Sequence, residues 1–228
     1  MLARVYSCAV IGLEGVIVEV EVDYSNGLPA VIIVGLPDAA VQESRERVQT
    51  AVKNAGLHFP RHRIVVNLSP ASIRKEGPAY DLPIALGVII LSGRLPTEIV
   101  ENTLVVGELS LDGVVRHTRG ILPMAATARA NGYKRMFVPE SDAPEAALIP
   151  DLEVYPVRTL AHLYDHLAGH RSIEPYQPSE SDTLEPLFTP TDFAEIKGQE
   201  HVKRALEVAA AGGHNVLTLC PKNRRFSP

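Results

Sequence analysis

The sequence predicts a mixed-sheet α/β domain followed by the opening of a second one. Three observations predict it. Strand-like segments dominate the start and helical periodicity comes later, with some alternation between the two. One helix is apolar on every side and has to be buried. From Gly169 to Thr191 the periodic pattern gives way to prolines, acidic residues and hydroxyls.

Arg4–Ile11 and Gly15–Asp23 read as strands. In the second, Val16, Val18, Val20 and Val22 share one parity and Glu19, Glu21 and Asp23 the other, the period of a half-buried strand. Asn26–Gly27 is a turn signal, and Pro29–Val34 reads as a third, more buried strand. The three are expected to form an antiparallel meander. Gly35-Leu36-Pro37-Asp38 opens a helix that runs to about Ala55, with Val41, Ser44, Val48, Ala51, Val52 and Ala55 on one face. Glu43, Arg45, Glu46, Arg47 and Lys53 lie mostly away from that face. Ile64–Leu68 is another buried strand.

Next comes Arg74–Ser92, a basic loop feeding the all-apolar helix. Asp81 is placed as its N-cap, with Pro83 in the first turn, and Leu82–Leu91 are all apolar or glycine. Thr103–Leu109 and Gly113–His117 read as a hairpin, Pro123–Asn131 as a helix and Arg135–Val138 as a strand. A short helix near Ala143–Leu148, a strand at Glu153–Val157 and a helix at Thr159–Leu167 complete the domain, residues 1–168. Residues 169–191 are the linker. Residues 192–228 begin a second domain, with a helix to about Ala211 and a strand-like Asn215–Leu219.

Composition bounds the function. The chain is 46% hydrophobic and 21% charged with net charge −5, which suits folded domains and argues against a coat of positive charge for nucleic acid. Cys8 and Cys220 sit near opposite ends, which is no disulfide framework and fits a reducing compartment. Glu14, Glu19 and Glu21 interrupt the apolar N-terminus, and no cleavage pattern follows it, so a cytoplasmic, membrane-free protein is expected.

Four segments carry a resemblance. VGLPDAAVQESRERV (34–48), VNLSPASIRKEGPAYDLPIALG (66–87), GELSLDGVVRHTRGILP (107–123) and DFAEIKGQEHVKRALEVAAAGGHN (192–215) resemble, in order and spacing, the YifB/ComM family of magnesium-chelatase-like AAA+ ATPases. The likeness covers residues 1–219. It implies a Lon-protease-like N-terminal domain, then an AAA+ module using ATP and Mg²⁺. For the whole protein it implies a ring-forming, ATP-driven helicase acting on single-stranded or branched DNA in natural transformation.

The chain departs from that family after Leu219. The family has a G-P-P-G-x-G-K-S/T loop there, whose backbone N–H groups and lysine cradle phosphates and whose hydroxyl holds Mg²⁺. Here Cys220-Pro221-Lys222-Asn223-Arg224-Arg225-Phe226-Ser227-Pro228 follows, and G-x-x-x-x-G-K-S/T occurs nowhere in the sequence. A frameshifted or prematurely ended reading frame is expected, with no ATP hydrolysis by this chain. By the resemblance, only Ile196 and Gly198 are carried over as an adenine-pocket edge, vestigial without the loop.

A Lon-type peptidase has a nucleophilic Ser after K-D-G-P and a Lys on the helix after the later hairpin, the Lys easing deprotonation of the Ser. This chain reads Lys75-Glu76-Gly77-Pro78-Ala79, and Gly120-Ile121-Leu122-Pro123-Met124 offers no Lys. No catalytic residue is therefore assigned. Ser72-Ile73-Arg74-Lys75 matches S-x-x-K, but neither S-D-N nor K-T-G accompanies it. His162, His166 and His170 recur every four residues without the H-E-x-x-H pattern, and no metal site is assigned.

The remaining chemistry is basic. Arg61 and Arg63, Arg74 and Lys75, and Arg116 and Arg119 border strands. Gathered at one end of the sheet, they would form a positive rim for phosphate contacts with DNA. A purely structural or oligomerisation module is one alternative; a Lon-like serine peptidase, against which the missing Ser and Lys count, is the other.

Overall fold

The computed structural model describes residues 2–178 and 193–219. Most of the linker, 179–191, together with residue 192 and the stretch 220–228, lies outside the described residues. The chain divides into two units, Met1–Asp182 and Thr183–Pro228. The first runs β1 (Leu2–Ile11), β2 (Glu14–Ser25), β3 (Ala30–Val34), α1 (Ala39–Asn54), β4 (Arg63–Ser69), α2 (Asp81–Leu91), β5 (Thr103–Val105), β6 (Glu108–Leu109), β7 (Val115–Arg116), α3 (Ile121–Ala130), β8 (Arg135–Pro139), α4 (Ala143–Ala146), β9 (Glu153–Val157) and α5 (Leu160–Leu167).

Seven strands make one sheet in the order β3-β4-β2-β1-β5-β8-β9, while β6 and β7 pair separately. The sheet is mixed and mostly parallel: β1–β2 and β2–β4 are antiparallel, the other four pairings parallel. The expected meander is only half present. β3 does not return to β2; α1 carries the chain over to β4, and a helical crossover makes β3 and β4 parallel. β4 then takes the free side of β2, with Val22 opposite Val66, and β3 is left at the sheet edge. The expected hairpin after Thr103 also divides. β5 stays in the large sheet, and the chain leaves it at Val106–Gly107 to form the small β6–β7 hairpin.

Strand alternation sends side chains to two cores. Val5, Val20, Val66, Val105 and Phe137 face α1, α2 and α5; Cys8, Leu104, Met136 and Val138 face α3 and α4. Every residue of α2 from Asp81 to Leu91 is buried, as its composition predicts. Each fully buried Leu, Ile or Val is worth about 1.5–3 kcal/mol against exposure. Gly87 lets α2 lie close to the sheet, since a Cβ there would sit 2.5 Å from Val22 Cγ2.

Packing continues beyond α5. Ile173 is buried, and the Tyr176 N–H donates to Val154 O at 2.7 Å, so the first part of the proline-rich stretch lies along the domain. In the second unit, Phe193–Glu195 form a short turn and α6 (Glu200–Gly212) follows. The strand expected at Asn215–Leu219 is not formed. Val216, Leu217 and Leu219 are exposed, because a strand needs a sheet to pair with and the described residues of this unit supply none. Among the described residues, no helix is long and apolar enough to cross a membrane.

Candidate functional site

The loop before α2 is fastened at several points. Asp38 caps α1 by accepting from the Val41 N–H at 2.8 Å through Oδ1, and it accepts from the Gly77 N–H at 3.1 Å through Oδ2. Its own N–H donates to Lys75 O at 3.0 Å, and the Lys75 N–H donates to Leu36 O at 3.1 Å. Gly107 crosses the end of the loop, donating to Ala79 O and accepting from the Leu82 N–H, both at 3.0 Å. A Cβ on Gly107 would come within 2.7 Å of Val115 Cγ1, so this crossing requires glycine.

Asp81 does not act as the expected N-cap. Tyr80 holds that place with no side-chain capping bond, and Asp81 begins the helix fully buried. Its carboxylate accepts from Ser44 Oγ, from Arg47 Nε at 2.7 Å and Nη2 at 3.1 Å, and from the Leu109 N–H at 3.2 Å. A carboxylate this deep needs a cation and several donors, and Arg47 therefore turns inward instead of facing solvent as its position suggested. That hydrogen bond from Arg47 to Asp81 holds the guanidinium pKa above its ordinary value. One residue thus joins α1, α2 and the β6–β7 hairpin.

These fastenings frame a cleft of about 580 Å³ between the end of β1, the 76–80 loop, the small hairpin and the start of α3. Ala79 lines it where a nucleophile would stand, and Met124 lines it from the first turns of α3. Cys8 also borders it, but burial pushes its thiol up to about 11, so it stays protonated and unreactive near neutrality. His117 stands at the rim with Nδ1 2.6 Å from Asp142 Oδ1, and Asp142 Oδ2 accepts from the Thr118 N–H at 2.8 Å. Asp142 is buried and fixes the ring, while His117 is largely exposed. The cleft opens past the exposed His117 ring. Its lining residues include no serine and no lysine.

The basic candidates do not gather into one rim. Arg61 and Arg63 lie at the start of β4, and Arg74 and Lys75 follow its end, about 20 Å away along seven residues of strand. Lys75 is buried, with its ammonium donating to Pro70 O, and burial lowers its pKa. Arg74 is exposed and 3.6 Å from Glu76. Arg116 ends β7, and Arg119 lines the cleft. Ile196 and Gly198 are both exposed in the turn before α6, and Ile196 O accepts from Lys203 Nζ at 3.0 Å.

His166, expected on a solvated helix face, is instead packed against the domain. His166 stacks near Phe137 and Tyr155, with ring centroids at 5.7 and 5.5 Å, and its Nδ1 accepts from the Ile173 N–H at 2.9 Å. Among the described residues, no cluster of three His, Cys, Asp or Glu is placed to hold a metal. Sequence reasoning missed Ser44, Arg47, His117 and Asp142. The serine on an otherwise apolar helix face was the one available signal, because a buried hydroxyl implies a polar partner.

The family model described as subunit ChlI of Mg-chelatase matches residues 20–142, and that described as magnesium chelatase, subunit ChlI, matches residues 192–223. An uncharacterised protein of Mycobacterium tuberculosis is 44% identical over 220 residues, covering 96% of this chain and 43% of that protein. Competence protein ComM of Haemophilus influenzae is 38% identical over 226 residues, again covering 96% of this chain and 43% of its own length. Lon protease 2 of Bacillus subtilis is 27% identical over 126 residues, 54% of this chain and 22% of that protease. The chain therefore spans less than half the length of the two relatives that match nearly all of it.

Proposed function

This chain belongs to the magnesium-chelatase-like YifB/ComM family, and from that premise we propose that it is the DNA-contacting N-terminal portion of an ATP-driven DNA-processing protein. Its Lon-like domain serves as a scaffold that neither cleaves peptides nor turns over nucleotide. Hydrolysis of ATP with Mg²⁺, and assembly into a ring, are functions of the longer protein.

Ala79 carries the scaffold reading. The cleft is built and braced, by Asp38 on Gly77 and by Gly107 on Ala79, yet its central residue is a methyl group. Acyl transfer needs a nucleophile and a base to activate it, and the lining residues supply neither a serine at that place nor a lysine opposite. A role with DNA is the expectation that the family resemblance carries; a relative named as a competence protein and exposed arginines on an otherwise acidic chain support it.

The residues present do not fit a nucleotide. Ile196 and Gly198 are exposed, and Lys203 is committed to Ile196 O and to Glu200 at 2.6 Å. No G-x-x-x-x-G-K-S/T loop exists in these 228 residues to wrap phosphates in backbone N–H groups. No step through ATP is assigned to this chain.

Equilibrium binding of single-stranded and branched DNA over a salt series tests the proposal. Binding that weakens steadily with salt is expected, and absence of binding at low salt contradicts it. An assembly that forms without binding DNA would instead favour a purely structural module.

A further inference from the structure

We infer that a groove at the β3 edge of the sheet seats the phosphate backbone of a single nucleic-acid strand. The inference rests on the DNA-contact reading above and gives that contact a place. The groove measures about 460 Å³ and lies between α1 and the loop that leads into β4, with β3 and Phe59 as its floor.

Its charge is organised by helix geometry. Arg45, Gln49 and Lys53 recur every four residues, so they form one stripe along α1 with about 6 Å of rise per step. Arg61 and His62 line the opposite wall. Against Arg45, Lys53 and Arg61 the lining holds one carboxylate, Glu46, in a chain whose net charge is −5. Arg45 Nε lies 3.7 Å from Glu46 Oε1, but both side chains are more than half exposed, so solvent leaves that pair little strength. Lys53 and Arg61 make no ion pair among the described residues. A groove rich in cations that fold-internal carboxylates do not neutralise is suited to an external polyanion.

Two further features fit a strand of nucleotides better than an isolated anion. The positive stripe is about 12 Å long from Arg45 to Lys53, which suits a chain of phosphates. At the mouth the His62 ring is held against Tyr24, with centroids 4.9 Å apart, giving a fixed aromatic surface on which a base can stack. The lining donors are arginine, lysine and glutamine side chains, which contact phosphates without reading sequence. The other basic candidates make a poorer site, since Lys75 is buried and Arg74 and Arg119 share their surroundings with Glu76.

Fluorescence anisotropy of a labelled oligothymidine strand with the 228-residue chain, over a potassium chloride series, tests the placement. The triple variant R45A/K53A/R61A is expected to bind at least tenfold more weakly at the lowest salt. Its plot of log affinity against log salt should flatten by about 2, at roughly 0.7 per lost phosphate contact. E46Q should bind more tightly, and R74A/R119A should match the parent chain. All these side chains are exposed, so thermal melts should coincide; the single reversal R61E serves if the triple variant melts early. Binding by the parent that the triple variant retains in full overturns the groove while leaving the DNA-contact reading intact. No binding by the parent overturns that reading itself. A duplex that competes as well as the strand overturns the single-strand assignment.

Discussion

Arg47 on α1 meets Asp81 at the start of α2 with Nε 2.7 Å from Oδ2, and this contact joins two of the three helices that cover one face of the sheet. Asp81 also holds the Leu109 N–H and Ser44 Oγ, so its carboxylate sets where the β6–β7 hairpin stands over the cleft. Removing one member of a buried pair leaves the other charge stranded, at a cost of about 3–5 kcal/mol. Arg47 is 21% exposed, which places the effect near the lower end. Asp81→Ala should therefore lower the unfolding free energy by about 3 kcal/mol in urea titrations. A loss under about 1 kcal/mol would show that water replaces the carboxylate without penalty.

His166 makes stability depend on pH. Burial, with His162 and Arg135 nearby, lowers its pKa from 6.5, while Glu174 acts in the opposite sense. Its Nδ1 must be unprotonated to accept the Ile173 N–H. A histidine whose folded pKa is depressed contributes stability that is present above the unfolded value and lost as pH falls through the folded one. Melting temperature should thus drop as pH falls below about 6.5, with faster amide exchange at Ile173. His166→Gln should flatten that window; an unchanged slope would remove His166 as its cause.

Cys8 should resist alkylation in the native chain. Its thiol is buried and pushed up to about 11, so almost none is thiolate near pH 8. Peptide mapping after iodoacetamide treatment should find it unmodified until denaturant is added. Rapid native labelling would mean that the base of the cleft opens.

Gly87→Ala sets two effects of opposite sign against each other. Alanine is favoured over glycine in a helix by about 0.8–1.0 kcal/mol. The added Cβ would meet Val22 Cγ2 at 2.5 Å, and overpacking of this kind costs about 1–3 kcal/mol. Packing wins, so the variant should unfold at lower denaturant concentration than the parent.

The sequence made most of the first unit legible because its elements are locally encoded. α2 shows the clearest case: its uniform apolarity predicted burial on all sides, and every residue is buried. The alternating valines of β2 likewise reported a half-buried strand. Pairing partners were less readable. β3 looked like the third strand of a meander, and only the helix after it, by forcing a parallel return, sent it to the edge. Asn215–Leu219 failed for a related reason, since five apolar-rich residues encode a strand only where a sheet receives them.

The cleft was partly legible. Lys75-Glu76-Gly77-Pro78-Ala79 revealed both the loop and its missing nucleophile, because those facts lie in consecutive residues. The pairing of His117 with Asp142 and of Arg47 with Asp81 joins residues 25 and 34 positions apart, and no local pattern announces it. The basic residues failed in the same way. Whether Arg61 and Arg74 share a surface depends on which ends of β4 they flank, and the strand holds them apart.

Amide NMR of the isotope-labelled chain, titrated with an oligothymidine strand at low salt, tests the account most directly. Shifts are expected at residues 29–31, 45–53 and 59–63, fading as salt is added, while Ala79 and His117 stay unmoved. Shifts confined to the cleft around Ala79 and His117, or no shifts at all, would contradict it.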